Sequence, residues 1–341
     1  MTAQTVFPPV PPGLPPDGGA APKGPSLSPS RAADFKTCPL LFRFRTVDKL
    51  PEQPSADQVR GTLVHAVLER LFDLPAAERT PEAAADLVAP SWARLLEAEP
   101  TLADIFAAAT APGPGRDPAA VAAEADAAGL AAAAGQAALL DVAPAEEVAR
   151  LAGFLASARG LLDGYFAVED PRRLEPAERE SLISTLVDDE LLIRGYIDRL
   201  DVSPAGDLRV VDYKTGGAPR EAFEGRALFQ LKFYALVLWR TRGVVPKVLR
   251  LLYLKDAEVC DYSPDADELE RFERTLVALS QAVERAKRDQ DFRPKPSRLC
   301  GWCSHQRFCP EFGGTPPPYP VAPPAGTPLV PIVPMDDDRL G

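Results

Sequence analysis

The chain has little of several features that mark common classes of protein. Only two of its 341 residues are histidine, and no apolar run approaches the roughly 20 residues that a transmembrane helix needs. The N-terminus has no basic stretch followed by an apolar one, so we identify no secretory signal and expect a cytoplasmic protein without a membrane partner. The pattern Gly-x4-Gly-Lys-[Ser/Thr] is also missing, which excludes a helicase motor built on that phosphate-binding loop.

The net charge of −11 at pH 7 argues, by itself, against a nucleic-acid partner. The charge is unevenly distributed, however. Acidic residues concentrate in an Ala-rich region at 76–147 and in Asp336–Asp338, whereas residues 31–49 carry five basic side chains against two acidic ones. Metal-binding carboxylates also add negative charge that their cations neutralise. The acidic total therefore does not exclude a nucleic-acid ligand.

Hydrophobic residues make up 46% of the chain, and their periodicity predicts one α/β domain over residues 26–313. The proline-rich residues 1–25 and 314–341 are predicted to be disordered tails, and residues 76–150 a helical, Ala-rich insertion. A helix is predicted to begin at Ser28, and the other predicted helices cover 61–72, 146–168, 227–240 and 264–289. The predicted strands cover 180–187, the two arms of a hairpin at 194–214, 248–254 and 257–262.

The hairpin carries the first candidate site. Two apolar runs between Arg194 and Lys214 flank a Ser-Pro-Ala-Gly-Asp turn. Side chains alternate along a strand, so Asp212 and Lys214 share a face, and Asp198 on the neighbouring strand can join them. Two carboxylates and a lysine at one sheet edge are suited to bind a hard cation. His65, on a predicted helix, is by local sequence more typical of a buried core histidine than of a metal ligand.

The cysteines suggest a second site. Cys300, Cys303 and Cys309 are close in sequence, and such spacing in a cytoplasmic protein favours a metal or redox site over a disulfide. Three thiolates need a fourth ligand, for which Cys38 is the distant candidate and His305 the local one. Four thiolates suit either an iron–sulfur cluster or a tetrahedral zinc ion, and the spacing alone does not separate these. Either metal would link the two ends of the domain, whereas Cys260 is predicted to be simply buried.

Taken together, these residues resemble a known family. The chain is similar to the PD-(D/E)XK nucleases of the RecB/AddB exonuclease group that carry an iron–sulfur staple, over roughly residues 28–313. The matching motifs are Gly61-x3-His65, Gly195-x2-Asp198-Arg199, Asp212-Tyr213-Lys214-Thr215-Gly216, Gln230-x3-Tyr234, and Cys38 with Cys300, Cys303 and Cys309. The resemblance implies a restriction-endonuclease-like core, with a central mixed sheet flanked by helices and a Cys-rich metal-cluster region at 296–313 that Cys38 closes.

The resemblance also implies roles for individual residues. His65, Asp198, Asp212 and the backbone carbonyl of Tyr213 would bind Mg²⁺ or Mn²⁺, and Lys214 would position or deprotonate the attacking water. The remaining implied residues are Gln230 and Tyr234, which would orient Lys214 or the substrate; Glu180, with Glu178 as the alternative; and Cys38, Cys300, Cys303 and Cys309, which would hold a [4Fe–4S] cluster rather than zinc.

The implied function is a metal-dependent DNA nuclease. We expect an exonuclease acting on DNA ends or single strands in repair or recombination, and a helicase or other repair protein would be a partner in trans. The alternative is a non-catalytic DNA-binding or scaffold module of the same fold. The presence of His65, Asp198, Asp212 and Lys214 argues against it, because a chain that no longer catalyses is free to lose them.

Overall fold

A mixed six-stranded sheet forms the centre of the computed structural model, which describes residues 24–107, 144–218 and 224–320. The strand order is β1-β3-β4-β5-β6, and β2 pairs with β3. The strands are β1 (Ser26–Leu27), β2 (Glu178–Val187), β3 (Leu191–Val202), β4 (Leu208–Lys214), β5 (Val248–Tyr253) and β6 (Glu258–Tyr262). The parallel β1–β3 and β4–β5 pairs combine with antiparallel β2–β3, β3–β4 and β5–β6 pairs. The predicted mixed α/β fold is thus confirmed.

Helices cover both faces of this sheet. They are α1 (Pro29–Thr37), α2 (Pro39–Phe42), α3 (Ala56–Leu71), α4 (Pro81–Ala98), α5 (Asp104–Ala107), α6 (Pro144–Val168), α7 (Glu224–Arg242) and α8 (Ala266–Asp289). One core packs α7 and α8 against one sheet face, through residues such as Phe233, Leu236 and Leu276. A second core packs α3, α4 and α6 against the other face, through Leu63, Trp92 and Tyr165 among others.

Several boundaries differ from the predictions, for local reasons. Ser28 caps α1 as predicted, its hydroxyl accepting from the Arg31 N–H at 3.3 Å. Helix α3 begins before the predicted residue 61, because Ser55 and Gln58 form a reciprocal capping box there. The predicted C-terminal tail starts at 314, but Tyr319 stacks on Phe292 with ring centroids 6.0 Å apart.

The predicted insertion and tails lie only partly within the described residues. Residues 76–107 include α4, whose Val88 and Trp92 are part of the second core. Residues 108–143, which contain most of the Ala-rich sequence, lie outside the described residues, as do 1–23 and 321–341. Within the described ranges, no helix combines the length and the apolarity that crossing a membrane requires.

Candidate metal and catalytic site

The site begins where strands β3 and β4 separate. Their ladder ends at the pair Arg199↔Val211, and one step further Asp198 comes level with Asp212. There the Asp198 carboxylate takes the place of a backbone partner and accepts the Tyr213 N–H at 2.8 Å. The hairpin therefore brings the two predicted carboxylates together, as the sequence pattern suggested.

A distortion in β2 adds a third carboxylate. The register of β2 and β3 places Glu180 opposite Asp198, but Glu180 has a φ of 43°, a left-handed conformation that is strained for a non-glycine residue. His65 on α3 lies beside both, its Nδ1 being 3.5 Å from Asp198 Oδ2 and 3.7 Å from Glu180 Oε1. Ligand atoms of these three residues all lie within 4.8 Å of one another.

The structure separates the two candidate glutamates. Glu178 forms an ion pair with Arg242 of α7 and accepts the Ser181 hydroxyl at 2.9 Å, on the side of β2 that faces α7. Glu180 instead faces His65. Strand alternation alone would put both glutamates on one face, and the left-handed Glu180 breaks that alternation.

Charge is concentrated around His65. Burial lowers the pKa of His65, but the hydrogen bond with Glu180 and the charges of Asp198 and Asp212 outweigh it and raise the pKa to about 9. For Asp198, burial and the charge of Asp212 raise the pKa to about 7, against the opposing effect of His65. His65 Nε2 lies 3.0 Å from the Tyr213 carbonyl oxygen, and because a carbonyl only accepts, Nε2 carries the proton in this contact.

A chain of polar side chains continues from Asp212. The Lys214 ammonium lies 2.6 Å from Asp212 Oδ2 and donates to Gln230 Oε1 at 2.9 Å. Gln230 Nε2 in turn donates to the Tyr234 hydroxyl at 2.8 Å. Gly195 allows this arrangement, since a Cβ on it would lie 2.7 Å from Tyr234 Cε1. All four predicted residues of this group are therefore in contact, each with the next.

The donor set fits a divalent cation. Asp212 is 1% exposed, and its Oδ2 has no hydrogen-bond partner of good geometry among the described residues. Three carboxylates and an imidazole converge beside one lysine, and oxygen and nitrogen donors with excess negative charge suit Mg²⁺ or Mn²⁺. One detail differs from the prediction: in the described part of the chain, the compact ligand group includes Glu180 and not Asp212.

A buried ion network, which the sequence did not reveal, holds the side chain of Tyr213. Arg199 is 1% exposed, and its guanidinium donates to Glu169 at 2.7 and 2.8 Å and to the Tyr213 hydroxyl at 2.9 Å. Asp201 completes the network, lying 3.1 Å from Arg199 and 2.8 Å from Arg209. The motif Gly195-x2-Asp198-Arg199 was a signal for Arg199, but nothing in the sequence indicated Glu169 as its partner.

A cleft in the sheet opens beside this site. Strand β3 pairs with β2 along one edge, and with both β1 and β4 along the opposite edge. On that second edge, β1 pairs with Leu192 and Ile193, and β4 pairs from Arg199 onward. In the part of the chain that the structure describes, residues 194–198 therefore have no strand partner on this edge, which leaves a gap between β1 and β4. We call this gap, together with the metal site beside it, the catalytic cleft. The cavity in the gap has a volume of about 470 Å³. It is lined by Gln230 and Tyr234 but by none of the predicted metal ligands, and its full lining is Ser28, Pro29, Ser30, Ala33, Asp34, Arg45, Gly195, Tyr196, Phe229, Gln230 and Tyr234.

The four predicted cysteine ligands line a separate cavity of about 60 Å³, here called the cysteine cavity. Two of the sulfurs accept backbone N–H groups, Cys38 from Lys295 at 3.4 Å and Cys300 from Ser297 at 3.2 Å. Burial and the nearby cysteines raise the pKa of the Cys303 thiol. Among the described residues, no three of the four sulfurs all lie within 4.8 Å of one another.

His305, the local alternative for the fourth ligand, is not in the cysteine cavity. It is 2% exposed, lies 2.7 Å from Glu52 and packs edge-on against Phe44 at 5.3 Å between centroids. Its side chain therefore contacts Glu52 and Phe44 instead, which leaves Cys38 as the candidate that lines the cavity. Cys38 also packs against a small third core made of Leu40, Phe42, Phe44, Val283 and Phe292. Cys260, predicted to be buried, is only partly buried and lies in β6.

Comparisons with known proteins agree with this architecture. A family model described as the PD-(D/E)XK nuclease superfamily matches residues 26–310. The gene 69 proteins of Mycobacterium phages L5 and D29 are 31% and 32% identical over 127 residues, which are 36% of this chain and 41% and 45% of the phage proteins. The chain thus spans less than half the length of the curated relatives that it matches.

Two solved structures are more distant. A proposed exonuclease from Eubacterium rectale shares 10% identity at a TM-score of 0.45, covering 82% of this chain and 87% of its own. The protein SSO0001 shares 16% identity at a TM-score of 0.32, covering 50% of this chain and 72% of its own. Both scores are below 0.5, so the family assignment rests on the family model.

Proposed function

The chain belongs to the PD-(D/E)XK nuclease superfamily, and on this basis we propose that it is a divalent-metal-dependent nuclease that hydrolyses phosphodiester bonds in DNA. The observation that carries the proposal is the meeting of His65, Glu180 and Asp198 within 4.8 Å, beside the Asp212–Lys214 ion pair. The resemblance to the RecB/AddB exonuclease group supports action on DNA ends or single strands, that is, exonuclease activity.

The proposed metal ligands are His65, Asp198, Asp212 and the Tyr213 carbonyl, with Glu180 as a further carboxylate. Bound Mg²⁺ or Mn²⁺ would supply a lowered pKa for the attacking water and compensation for charge on the phosphate oxygens. Asp198 is held for this task by the Tyr213 N–H, and Tyr213 is held by Arg199. The strand-end geometry of the ligands is thus fixed by buried hydrogen bonds.

Lys214 is the proposed source of fixed positive charge at the reacting phosphate. Gln230 and Asp212 hold its ammonium from two sides, so little reorganisation is needed when charge develops on the phosphoryl group. In this role Lys214 also positions the attacking water, and its positive charge favours loss of the water's proton to solvent. Tyr234 keeps the Gln230 amide oriented with its oxygen toward Lys214.

Digestion of end-labelled single- and double-stranded DNA with Mg²⁺ or Mn²⁺ tests the proposal. We expect Asp212→Asn and Lys214→Met each to lower the cleavage rate roughly 10²–10³-fold, the loss typical for removing one preorganised electrostatic group. Asp207→Asn is the matched control, because Asp207 lies in the same hairpin but pairs with Lys247 outside the site. DNA binding without any metal-dependent cleavage by the wild-type chain would instead indicate the non-catalytic binding or scaffold module.

We further propose that Cys38, Cys300, Cys303 and Cys309 hold a [4Fe–4S] cluster. The four sulfurs line one cavity, and backbone N–H groups donate to two of them, as suits thiolates that bind a metal. Four thiolates also suit a tetrahedral zinc ion, and the resemblance to nucleases that carry an iron–sulfur staple favours the cluster. A cytoplasmic setting, which keeps thiols reduced, suits such ligation.

The metal content decides between these cofactors. Anaerobically purified protein is expected to be brown and to contain about four iron atoms per chain, as thiolate-ligated [4Fe–4S] clusters do. Colourless protein with one zinc per chain would favour the structural zinc site instead.

The proposed cellular role is DNA repair or recombination. The sequence has no Walker-type phosphate-binding loop, so any unwinding of duplex DNA would come from a helicase or another repair protein acting in trans. Cleavage of duplex DNA that appears only when a helicase is added would support this division of tasks.

A further inference from the structure

Helix α1 connects the catalytic cleft to the cysteine cavity. Near its start, Ser28, Pro29, Ser30, Ala33 and Asp34 line the catalytic cleft, where Arg45 pairs with the Asp34 carboxylate at 2.8 Å. At its end, Thr37 and Cys38 line the cysteine cavity. A third depression between them is lined by Ala33, Lys36, Thr37, Gly225 and Phe229, so it shares lining residues with both neighbours. A continuous surface groove therefore follows α1 from the catalytic residues toward the cysteines.

Two lysines that have no acidic partner among the described residues meet along this groove. Lys36 Nζ lies over the Phe229 ring, 4.0 Å from its centroid, and Lys295 Nζ donates to the Lys36 carbonyl oxygen at 3.0 Å. Both side chains reach the surface, that of Lys36 partly covered by its contact with Phe229, and in the described ranges neither forms a salt bridge with a carboxylate. By contrast, Lys214, Lys232, Lys247 and Lys287 each have one.

The ammonium groups of Lys36 and Lys295 are close enough for the charge of Lys295 to alter the pKa of Lys36. Burial and the charge of Lys295 lower the pKa of Lys36. Like charges held side by side raise the local positive potential, and an anion that contacts both relieves their repulsion.

We propose that Lys36 and Lys295 bind backbone phosphates of the nucleic-acid strand whose scissile phosphate lies at Lys214. The inference rests on the proposed nuclease function and adds the path of the substrate: along α1, from the catalytic cleft toward the cysteine cavity. Lys36 follows Ser28, the N-cap of α1, by eight positions, which is about 12 Å at 1.5 Å per residue. One strand of B-form DNA carries a phosphate about every 3.4 Å along the helix axis, so this length spans a few nucleotides.

A different role for these lysines is compensation of thiolate charge. The backbone N–H of Lys295 already donates to Cys38 Sγ, so its ammonium lies near the cysteine cavity. Under that role, removing the lysines would reduce iron content or stability, and DNA binding would keep its salt dependence. The two roles therefore predict different measurements.

The test is the salt dependence of binding to a labelled single-stranded oligothymidine, measured by fluorescence anisotropy. The full chain is purified anaerobically with its metal, and divalent cations are removed by dialysis so that no cleavage occurs. Each phosphate contact to a single strand contributes about 0.7 to the slope of log Kd against log salt concentration. The Lys36→Ala/Lys295→Ala double variant should therefore lower this slope by about 1.4 relative to wild type.

Three further variants test whether the change in slope comes from the charges of Lys36 and Lys295. Lys247→Ala removes a lysine that pairs with Asp207 and lies away from α1, and it should leave the slope within about 0.3 of wild type. Lys36→Arg/Lys295→Arg keeps both charges and should keep the slope. If the double alanine variant does not fold, Lys36→Ala alone should lower the slope by about 0.7.

An unchanged slope in the alanine variant, with or without loss of iron, would overturn the proposed path while leaving the nuclease proposal in place. A wild-type chain that neither binds nor cuts nucleic acid would overturn both. These failures are distinguishable, because the first leaves cleavage of end-labelled DNA intact.

Discussion

The catalytic cleft and the cysteine cavity are built in contrasting ways. Every candidate residue of the cleft lies on a regular element, namely α3, β2, β3, β4 or α7, and the side chains are joined by hydrogen bonds and ion pairs. The cysteines lie at the end of α1 and among short 3₁₀ turns at Arg298–Trp302, Gln306–Phe308 and Pro310–Phe312. The sheet thus preorganises one site, whereas the other has little regular structure of its own.

The hydrophobic cores that support the two sites also differ, in their size. Two large cores clamp the sheet from both faces, but the cysteine region rests on a small third core that includes Phe42, Phe44 and Phe292. A segment with so little buried apolar surface depends on other constraints for its stability. We infer that the cleft needs its metal for chemistry, and that the cysteine cavity needs its metal for folding.

Removal of a cysteine ligand should have the largest effect on stability. Cys38→Ser is expected to abolish metal loading at the cysteine cavity and to lower the melting temperature by more than about 10 °C, equivalent to roughly 4 kcal/mol, because binding energy at a structural metal site is folding energy. Differential scanning calorimetry measures this. Cys260→Ser, in β6 and outside the cavity, is the control and should cost less than about 1.5 kcal/mol. Equal losses in both variants would contradict a metal-held region.

In the catalytic cleft, by contrast, loss of a metal ligand should reduce activity and leave stability almost unchanged. Glu180→Gln should lower the cleavage rate about 10–100-fold at limiting metal, because an amide is a weaker ligand for a hard cation than a carboxylate, and should change the melting temperature little. Glu178→Gln is the matched control on the same strand and should keep full activity, since Glu178 pairs with Arg242. Loss of activity only in the Glu178 variant would show that Glu178, and not Glu180, is the metal-binding glutamate. Mg²⁺ titrations of the cleavage rate provide the measurement.

The close approach of the Tyr234 ring to the Gly195 backbone can be tested by adding a methyl group at Gly195. Gly195→Ala places a Cβ 2.7 Å from Tyr234 Cε1 and should destabilise the fold by about 1–3 kcal/mol, as overpacking does. Displacement of Tyr234 should also lower the cleavage rate. Gly160→Ala in α6, where an added Cβ meets nothing within 4 Å, should instead stabilise by about 0.5–1 kcal/mol. Urea unfolding curves of the two variants would show opposite shifts, and a neutral Gly195→Ala would argue against the tight Tyr234 contact.

Metal binding in the cleft should depend on pH. The pKa of His65 is raised to about 9 and that of Asp198 to about 7, so without metal both hold protons below pH 7 and His65 alone holds one between pH 7 and 9. A cation must displace these protons, so Mg²⁺ affinity should rise about tenfold from pH 7 to pH 8 and more steeply below pH 7. Calorimetry in buffers of different ionisation enthalpy counts the released protons. His65→Asn should flatten the rise, and an affinity that falls with pH would contradict these ligands.

Much of the fold was predictable because it is local. The apolar periods of β2, the hairpin and α7 indicated their positions to within a few residues, since alternation and helical spacing depend on neighbouring residues alone. The choice between Glu178 and Glu180 was not predictable, because it depends on a left-handed residue that pattern reading assumes to be extended. The choice between Cys38 and His305 likewise depended on tertiary contacts, because His305 contacts Glu52 and Phe44 whereas Cys38 lines the cysteine cavity.

The sequence by itself determined the kinds of ligand available and their order along the chain: an imidazole, then carboxylates and a lysine, then an amide and a phenol, with thiols at both ends. The tertiary structure decided which of their atoms meet. His65 reaches the Tyr213 carbonyl across 148 residues, and Cys38 shares a cavity with Cys309 near the other end of the domain. Such contacts follow from how distant elements pack on one sheet, and no local pattern encodes that arrangement.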